Sequence, residues 1–193
     1  GLKILGIGGT AVGTGINTHP LYREKVVESL KKITGLDLKG SRNLIESTQS
    51  MADLVEVSGG LKYLAIEMIR IANDIRLLSS GPRTGLGEIL LPAVQPGSSI
   101  MPGKVNPVMA EVTNMVCFHV IGNDLTITMA AQAGQMELNV MMPVINFNLL
   151  QSVDILKNVI KVFTEKCIIG IRANAERCRE LTEQSIGLVT ILN

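Results

Sequence analysis

The run Gly97-Ser98-Ser99-Ile100-Met101-Pro102-Gly103-Lys104-Val105-Asn106-Pro107 concentrates the side chains best suited to chemistry. Two adjacent hydroxyls follow a glycine. A lysine and an asparagine stand two apart, just ahead of a proline that suits the first turn of a helix. A helix N-terminus carries unsatisfied N–H groups and partial positive charge, which makes it receptive to anions. An ammonium and an amide beside it would hold a carboxylate. Glu111 follows four residues past Pro107. Together these residues suggest a site for a small anionic substrate. The same residues also fit ordinary turn chemistry, and an acid near a helix start also complements the dipole.

Such a segment needs elements to hold it. Val26, Val27, Leu30 and Ile33 repeat at helical spacing over 21–33, and Gly35 stops that helix. Ser41 to Asn43 offer caps for a further helix from Leu44. A long helix is predicted over 51–78, with Leu54, Val57, Leu61, Leu64, Met68, Ile71 and Ile75 on its apolar positions. Gly59-Gly60 interrupts it, and a close helix contact or a kink would account for the pair. Residues 79–106 hold five Gly and four Pro, so mostly one long loop is expected there. A second long helix starts after Pro107 and runs to about residue 129, apolar on nearly every face, which suits the centre of a bundle or assembly. Pro143 opens or kinks a third, with Phe147, Leu150, Val153, Leu156, Ile160 and Phe163 in register. A short helix follows over about 174–184. Three long helices cannot cover their own apolar surface. The expected architecture is therefore an all-α, long-helix bundle completed by oligomerisation.

Composition agrees. Of 193 residues, 46% are hydrophobic, 18% charged and only 3% aromatic, with nine Met. Such an aliphatic chain is no disordered protein. Net charge is +1, and no basic stripe interleaved with aromatics marks a nucleic-acid partner. No apolar run approaches the ~20 residues of a membrane span. Cys117, Cys167 and Cys178 are odd in number and lack CxxC spacing, which reads as reduced thiols in a cytoplasmic protein.

The 97–107 string resembles the G-S-S-x-M-P-x-K-x-N motif of the fumarase/aspartase superfamily. Gly9-Thr10-Ala11-Val12-Gly13-Thr14-Gly15, Ala72-Asn73-Asp74-Ile75-Arg76, Ser80-Gly81-Pro82-Arg83, Gly122-Asn123-Asp124 and Glu137-Leu138-Asn139-Val140 resemble the same family, so the likeness runs along the whole chain. It implies a homotetramer on a central bundle of long helices, and a reversible elimination from a succinate derivative to give fumarate. By position it implies Ser98 as the base that removes the Cβ proton, through an aci-carboxylate intermediate. Ser99, Lys104, Val105 and Asn106 match residues that bind the substrate carboxylates. Glu111 matches the acidic partner of an active-site histidine. No metal or organic cofactor is implied.

The chain also departs from the family pattern. The Thr-His motif and an upstream Ser-rich substrate loop are absent, and neither His19 nor His119 matches the missing histidine. His119 reads as a core residue on an apolar helix, and His19 as an exposed loop residue. The expectation is a fragment of the central helical domain over 1–193, with a substrate-capping loop at 79–106 and with the N- and C-terminal domains absent. Such a piece alone is expected to be inactive, since family sites draw on three subunits. Met141-Met142-Pro143, Leu91-Pro92-Ala93, Pro107-Val108-Met109 and Lys166-Cys167-Ile168 lean to the ammonia-eliminating branch, the aspartases, with aspartate and fumarate as substrate and product. Gly8-Gly9-Thr10 and Gly85-Leu86-Gly87-Glu88 lean to the class II fumarases. A non-catalytic helical scaffold is the remaining alternative, and it has no need of the Ser98–Asn106 string.

Overall fold

A computed structural model describes residues 1–97 and 100–187. The chain is all-α, of the long-helix-bundle class, with strands of only two residues. It divides into two compact units. The first comprises Gly1–Lys62 and Ile121–Val153, and the second Tyr63–Val120 and Asp154–Asn193. Each of the three long helices contributes a segment to each unit.

In the first unit, β1 (Ile4–Leu5) pairs in parallel with β2 (Lys39–Gly40), flanking α1 (Tyr22–Thr34). Gly35 ends α1 in the left-handed conformation, φ 68°, and its N–H donates to the Lys31 carbonyl. Gly13 is required by its surroundings: its φ is 79°, and a Cβ there would overlap the backbone of Ile45. Asn43 caps α2 (Leu44–Gln49) by accepting from the Glu46 N–H. The core joins Met51, Ile127, Ala130, Ile145 and Leu149, with Leu54, Val57 and Leu61 packed against them. These residues come from α3 (Ala52–Leu78) and the residue before it, from α4 (Val108–Gln132) and from α5 (Met142–Lys166). Ile127 and Ile145 are fully buried, and each contributes about 2–3 kcal/mol by leaving water.

Polar side chains set the register of these helices. Asn123 Nδ2 on α4 donates to Gln151 Oε1 (3.1 Å) and Ser152 Oγ (3.0 Å) on α5. Asp124 accepts from Ser58 Oγ (2.7 Å) and Lys62 Nζ (2.6 Å) on α3. Asn139 is fully buried where α4 turns back into α5. Its Nδ2 donates to the Ala130 and Ala131 carbonyls, and its Oδ1 accepts from the Met141 N–H. It thereby serves the free carbonyls of one helix end and a free N–H of the next.

In the second unit the core joins Ala72, Ile75, Ala110, Phe163 and Cys167, with Ile89, Leu91, Met109 and Ile171 against them. β3 (Ile89–Leu90) pairs antiparallel with β4 (Arg172–Ala173). Asn174 caps α6 (Ala175–Glu183) by accepting from the Arg177 N–H. Asn114 Nδ2 donates to Asn73 Oδ1 at 2.8 Å.

Among the described residues, 79–106 is mostly loop, as expected, and carries one two-residue strand, β3, whose partner lies more than eighty residues away. Two expectations are corrected. Gly59 and Gly60 do not break α3, and no close contact within this chain calls for them, since a Cβ at either would meet nothing within 4 Å. His119 is exposed rather than in the core. On a helix apolar all round, hydrophobicity does not say which face is covered. The three thiols are unpaired, as expected: Cys117 and Cys167 are buried and Cys178 is half-buried. No described helix is long and apolar enough to cross a membrane.

Candidate active site

Pro107 precedes α4, and its carbonyl accepts the first helical bond, from the Glu111 N–H at 3.0 Å. Met101 to Lys104 form a tight turn: the Lys104 N–H donates to the Met101 carbonyl at 3.2 Å, and Gly103 has φ 81°. Proline second and a left-handed glycine third define a type II turn, so Pro102-Gly103 encodes it locally. Gly97 returns close to this turn, since a Cβ on it would lie 3.1 Å from the Lys104 carbonyl oxygen. The turn delivers Lys104, Val105 and Asn106 one after another to the mouth of α4.

Lys104 and Asn106 are half-buried and Val105 is exposed. Glu111 is half-buried on the first turn of α4. The structure therefore brings Lys104, Asn106 and Glu111 to one helix start, where the positive end of the dipole adds to the ammonium. Ser98 and Ser99 lie outside the described residues. His119 is eight residues beyond Glu111 on the same helix, ~12 Å along its axis, so it does not pair with Glu111. His19 is exposed, and its Nδ1 accepts from the Leu21 N–H at 3.2 Å.

Behind the segment, a cavity of about 190 Å³ is lined by Gly103 and Val105 on one side and by Ser80, Gly87, Leu90 and Asn174 on others. The larger concavities, about 710 and 500 Å³, are open grooves along α1 in the other unit. Neither is lined by Lys104, Val105, Asn106 or Glu111, and His19 lines the smaller. One buried side-chain acceptor among the described residues, Asn114 Oδ1, has no hydrogen-bond partner, and Asn114 stands three residues past Glu111 on α4.

Sequence reading missed Asn174 and Arg177. Asn174 Nδ2 donates to the Gly87 carbonyl (2.9 Å), and Arg177 Nε to the Leu86 carbonyl (3.0 Å). Asn174 before a helical pattern signals a cap, but nothing local signals a partner 87 residues earlier.

The family model described as Lyase matches residues 2–122. An aspartate ammonia-lyase of Bacillus sp is 57% identical over 189 residues, 98% of this chain and 40% of that protein. The aspartate ammonia-lyase of Corynebacterium glutamicum is 56% identical over 97% of this chain and 36% of that protein. Among solved structures, a fumarate lyase:delta crystallin from Brucella melitensis, bound to cobalt, matches with TM-score 0.94 and 52% identity over 98% of this chain and 41% of that one. A recombinant class II fumarase from Schistosoma mansoni matches with TM-score 0.94 and 39% identity, over 99% of this chain and 43% of that one. The chain spans about 40% of the length of the curated relatives it matches.

Proposed function

From the premise that this chain belongs to the lyase family of the fumarase/aspartase superfamily, we propose that the whole protein eliminates ammonia reversibly from L-aspartate to give fumarate. The observation that carries this reading is the identity of 53–57%, over nearly all of the chain, to proteins named aspartate ammonia-lyase. The turn that presents Lys104 and Asn106 at the start of α4 supports it chemically.

In this reading Ser98 Oγ, as alkoxide, takes the proton from Cβ. The electron pair passes into the adjacent carboxylate and forms an aci-carboxylate dianion. Its collapse makes the carbon–carbon double bond and expels ammonia. A serine hydroxyl is far too weak an acid to ionise unaided near pH 7, so its alkoxide needs a positive field. Lys104 and the N-terminus of α4 supply such a field, and the same field stabilises the extra charge of the dianion. Ser99, Lys104, Val105 and Asn106 bind the carboxylates. Glu111 is the acidic partner of a histidine that this chain does not contain. The reaction uses no metal or organic cofactor.

The assembly is a homotetramer, and the protein is cytoplasmic. Met115 and Phe118 on α4 stand 65% and 58% exposed in the isolated chain, and a second subunit would cover them. The central helical domain over 1–193, with 79–106 as its substrate-capping segment, is part of the same proposal. Hydration of fumarate is the second reading. It is favoured by the Gly8-Gly9-Thr10 and Gly85–Glu88 segments and by the structural match to the class II fumarase.

The assay is direct. The whole protein should release ammonia from L-aspartate. Conversion of L-malate to fumarate with no ammonia from L-aspartate would replace this reading by the second. Ser98→Ala should lower kcat by at least about 100-fold; turnover within a few-fold of wild type removes the base assignment.

A further inference from the structure

The segment that enters the candidate site is fastened from an unexpected side. Residues 86–90 are bonded to 172–178 at successive positions. The Leu86 carbonyl accepts from Arg177 Nε at 3.0 Å, and the Gly87 carbonyl from Asn174 Nδ2 at 2.9 Å. The Glu88 carbonyl accepts from the Asn174 N–H at 2.9 Å and from Cys178 Sγ at 3.5 Å. Ile89 and Leu90 then pair with Ala173 and Arg172. Gly170 continues the seam, because a Cβ there would overlap the Pro92 ring.

This seam bears on the site through packing. Ile89 and Leu91 sit in one apolar cluster with Met109 and Ala110, which lie between Asn106 and Glu111 on the first turn of α4. On the other side, Asn174 and Gly87 share the 190 Å³ cavity with Gly103 and Val105, the residues flanking Lys104. A shift of residues 86–91 therefore presses on both walls that hold Lys104 and Asn106 in place. Close-packed interiors transmit such shifts rather than absorb them.

We propose that Asn174, assisted by Arg177, is a positioning residue for the Lys104–Asn106 carboxylate site, acting through its bond to the Gly87 carbonyl. The proposal rests on the lyase reading of that site. Asn174 has two separable duties. Its Oδ1 accepts from the Arg177 N–H and caps α6, while its Nδ2 holds Gly87. Asn174→Asp keeps an oxygen for the cap and replaces the donor by an oxygen that repels the Gly87 carbonyl, so it breaks the second duty while sparing the first.

In the whole protein, Asn174→Asp should raise KM for L-aspartate about tenfold, with a smaller fall in kcat, because displacement of binding groups by a fraction of an ångström weakens their grip. Hydrogen exchange of the amides of residues 86–91 should quicken in the same variant. A merely structural role would lower apparent kcat by reducing the active fraction at unchanged KM. That outcome overturns the proposal, as does wild-type kinetics or unchanged exchange at 86–91. Lys104→Ala is the control on the site itself. If it keeps wild-type kcat/KM, the lyase reading of the site fails and the positioning role goes with it. If Lys104→Ala loses activity and Asn174→Asp does not, only the positioning role fails.

Discussion

Asn123 and Asp124 are adjacent on α4 yet bond to different helices: Asn123 reaches Gln151 and Ser152 on α5, and Asp124 reaches Ser58 and Lys62 on α3. One peptide unit thus fixes the rotation of a helix whose apolar residues, lying all round, would accept several. Buried polar pairs often serve register in this way. Asn123→Ala strips several bonds and leaves the Ser152 hydroxyl buried with fewer partners, and should cost about 2–3 kcal/mol. Asp124→Ala leaves Ser58 unpaired but frees Lys62 to turn to water, and should cost about 1–3 kcal/mol. Urea unfolding of the two variants checks both, and a cost under about 0.5 kcal/mol for each would show that packing alone sets the register.

Gly170 and Gly60 should respond oppositely to alanine. At Gly170 the new Cβ meets a proline ring that cannot swing aside, so Gly170→Ala should lose about 1–3 kcal/mol. At Gly60 a Cβ meets nothing within 4 Å, and the helix should gain about 0.5–1 kcal/mol. Thermal melts of the two variants give both signs. A loss at Gly60 that grows with protein concentration would place a neighbouring subunit against that face.

The cysteines predict an alkaline sensitivity. Burial pushes the Cys117 thiol up to about 11 and raises that of Cys167 in the same direction. The folded state therefore keeps these protons at pH values where an unfolded thiol, with a pKa of about 8.5, has lost its own. The stability so gained is complete below about pH 8.5 and is lost as pH rises towards about 11. Denaturant midpoints between pH 8 and 10.5 should fall less steeply in Cys117→Ala. Alkylation under native conditions should reach Cys178 first, since it is only half-buried.

Assembly can be tested at α4. Phe118 and Met115 are three residues apart on one helix face and strongly exposed in the single chain. Phe118→Glu should shift the proposed tetramer of the whole protein to smaller species in light scattering. A chain folded as here loses little by that change, because the side chain already faces outward. An unchanged mass would move the subunit contact away from this face.

Much of the fold is legible in local pattern. The helix expected over 21–33 is found at Tyr22–Thr34, and those expected from Met51, Pro107 and Pro143 are found at Ala52–Leu78, Val108–Gln132 and Met142–Lys166. Apolar spacing, Pro at helix starts and Gly35 at a helix end are short-range signals, so one strand of sequence suffices to read them. The Pro102-Gly103 turn is legible for the same reason. Three features are not. The clasp on residues 86–90 depends on partners about ninety residues away. The exposure of His119 depends on which neighbours an all-round apolar helix acquires. The open space at Gly59 and Gly60 depends on which segments pack beside that stretch of α3. Each is a fact about contacts between distant segments, and no window of sequence contains both sides.

The clasp also has a thermal consequence. α6 has nine residues, fewer than an isolated helix needs to persist in water. The Asn174 and Arg177 side chains that grip residues 86 and 87 sit at its first turn. Fraying of this short helix on warming would release the strap proposed to steady Lys104 while the buried helices still hold. Catalysis should then fade at a lower temperature than the one that melts the core, and recover on cooling.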